Sequence, residues 1–201
     1  PKLTTSEVDI IFNDVKKQLV PFIHKISKNI TIDDEFFYQF FDKKKQWDFG
    51  IELLKQMGYD FDSGRQDISA HPFSTHFSPQ DCRVTTRIDE NNLSDMIWSC
   101  IHEGGHALYE QGLPHSWAHQ PLGFAGGMSL HESQSLFIEM QIVKSRHLSN
   151  FIYKTLVNKL NKNSKLWSSE EIYKIRNLVK KNYIRVDSDE VHYPLHIIHR
   201  F

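Results

Sequence analysis

Apolar side chains recur at intervals of three, four and seven residues along most of the chain, which is the spacing of amphipathic helices. Capping residues, glycines and prolines mark where the helical stretches begin and end. Thr5 or Ser6 is expected to cap the first helix, and Pro21 to kink it. Helices are predicted over residues 7–28, 31–41, 42–57, 91–112, 129–153, 168–182 and 191–201. The expected core face of helix 129–153 consists of Leu130, Phe137, Ile138 and Ile142.

The pattern changes between residues 65 and 88. Alternation of apolar and polar side chains over residues 83–88, with prolines upstream, predicts a small antiparallel hairpin or sheet edge. Glycine and proline crowd residues 112–127, which predicts a loop after helix 91–112. The expected fold is mainly α, a helical bundle with a small antiparallel β-hairpin or sheet beside helix 91–112. At 23.7 kDa the chain can bury its core as a single domain, residues 1–201.

Composition and charge narrow the class of protein. A net charge of −1 and a pI near 7.0 argue against a nucleic-acid binder, and no apolar run reaches transmembrane length. The cysteines, Cys82 and Cys100, form no C-x-x-C pair, and the N-terminus has no basic region and apolar core typical of a signal peptide. We therefore expect a protein of a reducing compartment that binds neither nucleic acid nor membranes. The chain starts at Pro1 and stops in mid-pattern at Phe201, so we expect it to be part of a larger protein.

A metal-binding pattern lies in the middle of helix 91–112. His102 and His106 are four residues apart and therefore share one helix face, where both imidazoles can reach one metal ion. Glu103 follows the first histidine, where it can deprotonate a metal-bound water. Glu132 supplies a third ligand and leaves a fourth position open, as in a catalytic zinc site. An accidental H-E-x-x-H motif in such a chain has a probability of about 4%, so the motif needs its context for support. Two histidines and a carboxylate suit zinc, cobalt or manganese.

Gly104 and Gly105 lie inside the same helix. Each costs roughly 1 kcal/mol relative to alanine in a helix interior. The pair predicts that another element or a substrate approaches the helix backbone closely.

Several ordered motifs resemble those of the carboxypeptidase Taq family of metallocarboxypeptidases. The resemblance extends from about Lys44 to Phe201. It is carried by His71-Pro72-Phe73, by Asp81-Cys82-Arg83-Val84-Thr85, by His102 to His106 with Ala107-Leu108-Tyr109-Glu110, by His131-Glu132-Ser133-Gln134-Ser135, and by Ile184-Arg185-Val186-Asp187-Ser188-Asp189, in which Ser188 replaces the usual alanine.

This resemblance implies a largely helical, cytosolic, homodimeric enzyme that removes single residues from peptide C-termini with zinc or cobalt. It makes His102, His106 and Glu132 the metal ligands and Glu103 the general base. Family members are much longer, so the chain is expected to be their central catalytic portion. By the same resemblance, an N-terminal helical region and a downstream G-x-x-Q-D-x-H-W element are expected to lie outside it.

Two arginines are candidates for recognising the free carboxylate of such a substrate, because a guanidinium binds a carboxylate through two parallel hydrogen bonds. Arg185 is the preferred clamp, and its alternative is a structural ion pair with Asp187 or Asp189. Arg83 is the second candidate, although pairing with Asp81 would make it a structural part of the hairpin.

Tyr193 and His196 are candidates to stabilise the oxyanion, with ordinary helix packing as the alternative. His71 either lines the substrate groove or is a hydrogen-bonded structural residue. His131 points about 100° around the helix from Glu132 and is expected to support the site or join the core.

Two other functions compete with a carboxypeptidase. The first is a non-catalytic remnant that still folds and binds metal. The second is a metalloendopeptidase, which needs no carboxylate clamp.

Overall fold

The computed structural model describes residues 3–28, 32–160, 168–185 and 188–201. Contacts within the chain divide it into two units. One consists of Pro1–Ile32 and Lys174–Phe201, and the other of Asp33–Tyr173. The sequence also predicts a polar break at residues 161–165, which lie outside the described residues. The expectation of a single domain stays a prediction.

The first unit contains helix α1 (Thr5–Ile26) and the C-terminal helix. Thr4 caps α1, because its hydroxyl accepts from the backbone N–H of Glu7 at 3.3 Å and the Glu7 carboxylate accepts from the Thr4 N–H at 2.7 Å. The predicted cap at Thr5 or Ser6 is therefore wrong by one or two residues, since the glutamate that completes the capping box lies three residues after Thr4. Phe12 of α1 packs edge-on against Phe201, with ring centroids 5.2 Å apart.

The second unit begins with a short 3₁₀ helix, Glu35–Tyr38, rather than the predicted helix 31–41. The Asp33 carboxylate accepts from the Glu35 N–H at 2.9 Å, a local turn that competes with an α-helical start. Helix α2 (Lys43–Met57) has the predicted bounds, with Asp42 as its N-cap and Gly58 as its C-cap at φ +96°. Only glycine adopts that left-handed conformation without strain.

The sheet has three strands, β1 (Gln66–Ile68), β2 (Ser74–Ser78) and β3 (Asp81–Thr86), in the order β1-β3-β2. Strands β2 and β3 form the predicted antiparallel hairpin, and β1 pairs with β3 in parallel. Cys82 and Val84 of β3 are buried.

Helix α3 (Leu93–Gln111) follows the sheet and contacts β3, β2, α2 and α4. The Asn92 carboxamide caps it by accepting from the Asp95 N–H at 3.3 Å. Ile97 and Ile101, four residues apart on one face of α3, are fully buried.

In the structure, three separate elements replace the predicted helix 129–153. Helix α4 (Met128–Leu136) continues into a π-helical segment, Phe137–Ile142, and α5 (Arg146–Leu160) follows after a break. The extra residue per turn of a π helix rotates the side chains away from α-helical periodicity. The predicted core face is wrong, since Leu130 of α4 and Phe137 and Ile142 of the π-helical segment are exposed.

Helix α6 (Ser169–Arg176) ends before the predicted residue 182. The backbone N–H of Lys180 donates to the Asp189 carboxylate at 3.0 Å instead of continuing the helix. Helix α7 (Tyr193–Arg200) carries Pro194 in its first turn, as predicted. No helix among the described residues is both long and apolar enough to cross a bilayer.

Candidate metal centre

The three predicted ligands come together between α3 and α4. Nε2 of His106 lies 3.4 Å from Oε2 of Glu132, and Nε2 of His102 lies 3.8 Å from Oε1 of the same carboxylate. One ligand atom from each residue falls within 4.8 Å of the others. Ligand atoms of a tetrahedral zinc ion are about 3.3 Å apart, so this set of two imidazoles and one carboxylate fits a divalent ion. The Glu132 side chain is 51% exposed, which leaves the centre open on one side.

The two glycines in α3 explain how the helices approach each other. A Cβ atom on Gly105 would lie 2.7 Å from the Cα of Ser135 in α4. On Gly104 it would instead meet the ends of the Leu54 and Met57 side chains of α2, at 2.7 and 2.8 Å. The close approach predicted from the glycine pair is therefore made by neighbouring helices. Contact at Ser135 also places Glu132, one turn earlier in α4, beside the histidines of α3.

His102 is oriented by a carboxylate that the sequence argument missed. Its Nδ1 lies 2.8 Å from Oε2 of Glu139, which leaves Nε2 directed towards Glu132. A metal-ligating histidine commonly uses its second nitrogen in this way. Glu139 belongs to the π-helical segment, and its position seven residues after Glu132 was a possible signal because that spacing is two helical turns.

The surroundings of His102 and His106 shift their pKa values in opposite directions. Burial disfavours the charged form of His102, but the hydrogen bond and charge of Glu139, together with Glu103 and Glu132, raise its pKa. Burial, followed by the charges of His102 and His131, lowers the pKa of His106 to about 4. His106 is therefore neutral near pH 7, which is the form that binds a metal.

Glu103 is buried beside this cluster. Burial raises the pKa of its carboxyl, while His102 and a hydrogen bond with the Ser74 side chain oppose the shift. His71 also lowers the pKa of Glu103, although its own side chain is exposed. A carboxylate with a raised pKa is a stronger base than an ordinary glutamate, which suits proton abstraction from water.

A second cluster adjoins the first. Nε2 of His131 lies 2.7 Å from Oε1 of Glu110, and Nδ1 of His76 lies 3.3 Å from the same oxygen. The His131 ring stacks on His106 with centroids 4.5 Å apart and an interplanar angle of 24°. Glu110 and His76 were not singled out from the sequence, although Glu110 continues the four-residue spacing of the two histidine ligands.

Arg83, a candidate for carboxylate binding, makes a bidentate ion pair with Asp81 at 2.7 and 2.8 Å. Its guanidinium also lies over the ring of Phe77 at 5.2 Å. These contacts favour the alternative in which Arg83 is a structural part of the hairpin.

Three other candidates, Arg185, Tyr193 and His196, belong to the unit that contains α1 and α7. Within it, Arg185 donates to the Tyr193 hydroxyl at 3.1 Å, and His196 Nε2 lies 3.0 Å from the carbonyl oxygen of Asn182. The carboxylate of Asp189 contacts His192 at 2.8 Å. The other suggested partner of Arg185, Asp187, lies outside the described residues.

Known proteins resemble this chain along its whole length. It is 36% identical to Carboxypeptidase 1 of Bacillus subtilis, over 100% of this chain and 40% of that protein. It is 35% identical to Thermostable carboxypeptidase 1 of Pyrococcus furiosus, over 99% of this chain and 40% of that protein. The chain thus spans about two fifths of the length of these curated relatives.

A solved structure agrees with these relatives. The M32 carboxypeptidase from Deinococcus radiodurans R1 matches 99% of this chain and 40% of its own with a TM-score of 0.90 and 34% identity. The family model described as carboxypeptidase Taq (M32) metallopeptidase matches residues 1–201. The resemblance predicted from the motifs is confirmed, and the chain belongs to the carboxypeptidase Taq (M32) metallopeptidase family.

Proposed function

We propose that this chain carries the catalytic centre of a metal-dependent carboxypeptidase that releases C-terminal residues from peptides. The observation that supports it most is the convergence of His102, His106 and Glu132 beside the buried Glu103. The three ligands hold one divalent ion, zinc first, with cobalt and manganese as alternatives.

A bound ion would polarise the scissile carbonyl and make its water ligand more acidic. Glu103 accepts the proton of the attacking water and passes it to the leaving amine. Its raised pKa favours the first transfer, and its contact with Ser74 holds the carboxylate in place. Glu139 keeps the Nε2 of His102 directed towards Glu132.

Peptides with a free C-terminus are the proposed substrates. Arg185 is the preferred carboxylate clamp, and Arg83 the second candidate, which would have to exchange Asp81 for substrate. His71 is proposed to line the groove, since it influences the pKa of Glu103. Tyr193 and His196 remain candidates for oxyanion stabilisation. We further propose a cytoplasmic homodimer, as the family resemblance implies.

The exopeptidase proposal is tested by comparing peptides with free and amidated C-termini. A carboxypeptidase cleaves the free peptide and leaves the amidated one intact, because the clamp needs a carboxylate. Equal cleavage of both would instead favour a metalloendopeptidase.

Catalysis by this chain is tested with an N-blocked dipeptide in the presence of added zinc or cobalt. Glu103→Ala is the inactive background, and Glu35→Ala, at an exposed glutamate, is the matched control. Turnover in the wild type and in Glu35→Ala, but not in Glu103→Ala, supports the proposal. Equal, background rates in all three would favour a non-catalytic metal-binding remnant.

A further inference from the structure

The two ligand histidines are held in different ways. His102 has the carboxylate of Glu139 on its second nitrogen at 2.8 Å. Nδ1 of His106 is buried and has no hydrogen bond of normal geometry within the described part of the chain. The His131 backbone makes only a weak hydrogen bond with His106, the smallest of the influences on the His106 pKa. Something other than a carboxylate must therefore fix the rotation of the His106 ring.

The ring of His131 covers one face of His106. The centroids are 4.5 Å apart and the planes differ by 24°. Tyr109 meets the His131 ring edge-on at 5.5 Å, so this ring is itself enclosed. A flat ring held against a flat ring restricts rotation about χ2, the torsion that decides where Nε2 of His106 points.

His131 is in turn anchored by Glu110. The 2.7 Å contact between His131 Nε2 and Glu110 Oε1 is a short, charge-assisted hydrogen bond. Glu110 is 3% exposed, so its carboxylate cannot exchange this partner for bulk water. His76 approaches the same oxygen from β2 at 3.3 Å. Glu110 also lies one turn after His106 in α3, so ligand and anchor belong to one rigid helix.

We propose that His131 and Glu110 are positioning residues of the metal centre, which hold the His106 imidazole in its ligating orientation by ring stacking, whereas His102 is held by a carboxylate on its second nitrogen. The inference rests on the proposed function only in one respect: it requires that His102, His106 and Glu132 bind a metal ion. The 2.7 Å spacing between His131 and Glu110 is that of a hydrogen bond, shorter than the roughly 3.3 Å between ligands of one tetrahedral ion, which favours an anchor. His76, Glu110 and His131 could also hold a metal ion, so a second metal site is the competing outcome of the test.

The test measures zinc affinity by chelator competition and the visible absorption of the cobalt-loaded chain, neither of which requires turnover. Glu110→Ala removes the anchor and His131→Ala removes the stacked ring. Each is expected to weaken zinc binding about 10- to 100-fold, the usual effect of losing an orienting residue, and to change the cobalt spectrum. Glu110→Gln keeps a neutral acceptor for His131 and should bind zinc within about threefold of the wild type.

His76→Ala is the matched control, because it removes a contact of Glu110 and leaves the His131 hydrogen bond intact. Its zinc affinity and cobalt spectrum should be unchanged. Circular dichroism and thermal unfolding of the metal-free variants separate misfolding from misplacement. If Glu110→Ala does not fold, the comparison between Glu110→Gln and His131→Ala decides the question.

Two results would overturn the inference while leaving the proposed function intact. One is wild-type zinc affinity and cobalt absorption in His131→Ala, whatever its melting temperature. The other is a second zinc equivalent in the wild type that is lost in His76→Ala, which would make the cluster a ligand set. Failure of the wild-type chain to bind any zinc or cobalt would overturn the proposed metal centre itself, and this inference with it.

Discussion

Gly105 and Ser135 are in contact where the two ligand-bearing helices meet, and a methyl group on Gly105 would lie 2.7 Å from the Ser135 Cα. That distance is shorter than any ordinary contact, and a backbone atom cannot rotate away from it. The absence of a side chain at position 105 therefore sets the separation between the histidines of α3 and Glu132 of α4.

Gly105→Ala is expected to push α4 away from α3 and to weaken zinc binding about 10-fold or more, because Glu132 moves with α4. Overpacking should also lower the free energy of unfolding by about 1–3 kcal/mol. Zinc titration and urea unfolding measure the two effects. Gly104→Ala is the matched control, since its methyl group meets only the flexible ends of Leu54 and Met57. Equal loss of zinc affinity in both variants would contradict this account.

Glu139→Ala should weaken zinc binding about 10- to 100-fold by freeing the His102 ring to rotate. Glu139→Gln retains an acceptor for the Nδ1–H of His102 and is expected to lose less. The same titration measures both variants. Wild-type affinity in Glu139→Ala would show that the 2.8 Å contact does not orient the ligand.

Removal of the metal should reduce stability, because the stabilisation by a bound ion grows with the logarithm of its free concentration relative to the dissociation constant. With free zinc at about 100 times the dissociation constant, binding adds about 2.7 kcal/mol to the free energy of unfolding. The wild-type chain should show this gain in denaturant unfolding, and a chelator should reverse it. His106→Ala should show neither the gain nor bound zinc by metal analysis. Unchanged zinc stoichiometry in that variant would refute the ligand assignment.

Both cysteines should be unreactive in the folded chain. Burial raises the pKa of the Cys100 thiol to about 12, and burial with the charges of Glu110 and Asp81 does the same for Cys82. At pH 8 the thiolate, which is the reactive form, is therefore scarce in both. A chromogenic thiol reagent should label neither cysteine in the native protein and both in denaturant. Rapid native labelling of either one would contradict its burial.

Arg185→Ala should lower kcat/KM for peptides with a free C-terminus about 10- to 100-fold, if its guanidinium binds the substrate carboxylate. Arg83→Ala tests the other candidate and should have little effect while Asp81 holds that side chain. A larger loss of kcat/KM in Arg83→Ala than in Arg185→Ala would instead make Arg83 the carboxylate clamp. Circular dichroism of both variants controls for loss of the Arg185–Tyr193 contact.

Local periodicity accounted for much of the fold and the centre of the site. Four-residue spacing placed His102 and His106 on one face of α3, and the bounds predicted for α2 and α3 lay within two residues of the observed ones, because helix ends depend on residues only a few positions apart. The same reasoning could not find the π-helical segment, because six residues are too few to show a period different from that of an α-helix.

The sequence by itself thus determined that His102 and His106 lie on the same face of α3, and its motifs determined the family. Only the tertiary structure decided which elements pack against each helix face. The parallel pairing of β1, the contact of Gly105 with Ser135, and the placing of Glu139 and His131 against the two ligand histidines all join residues that are distant in the chain. Such pairs depend on how the elements pack, and no local spacing rule encodes the packing.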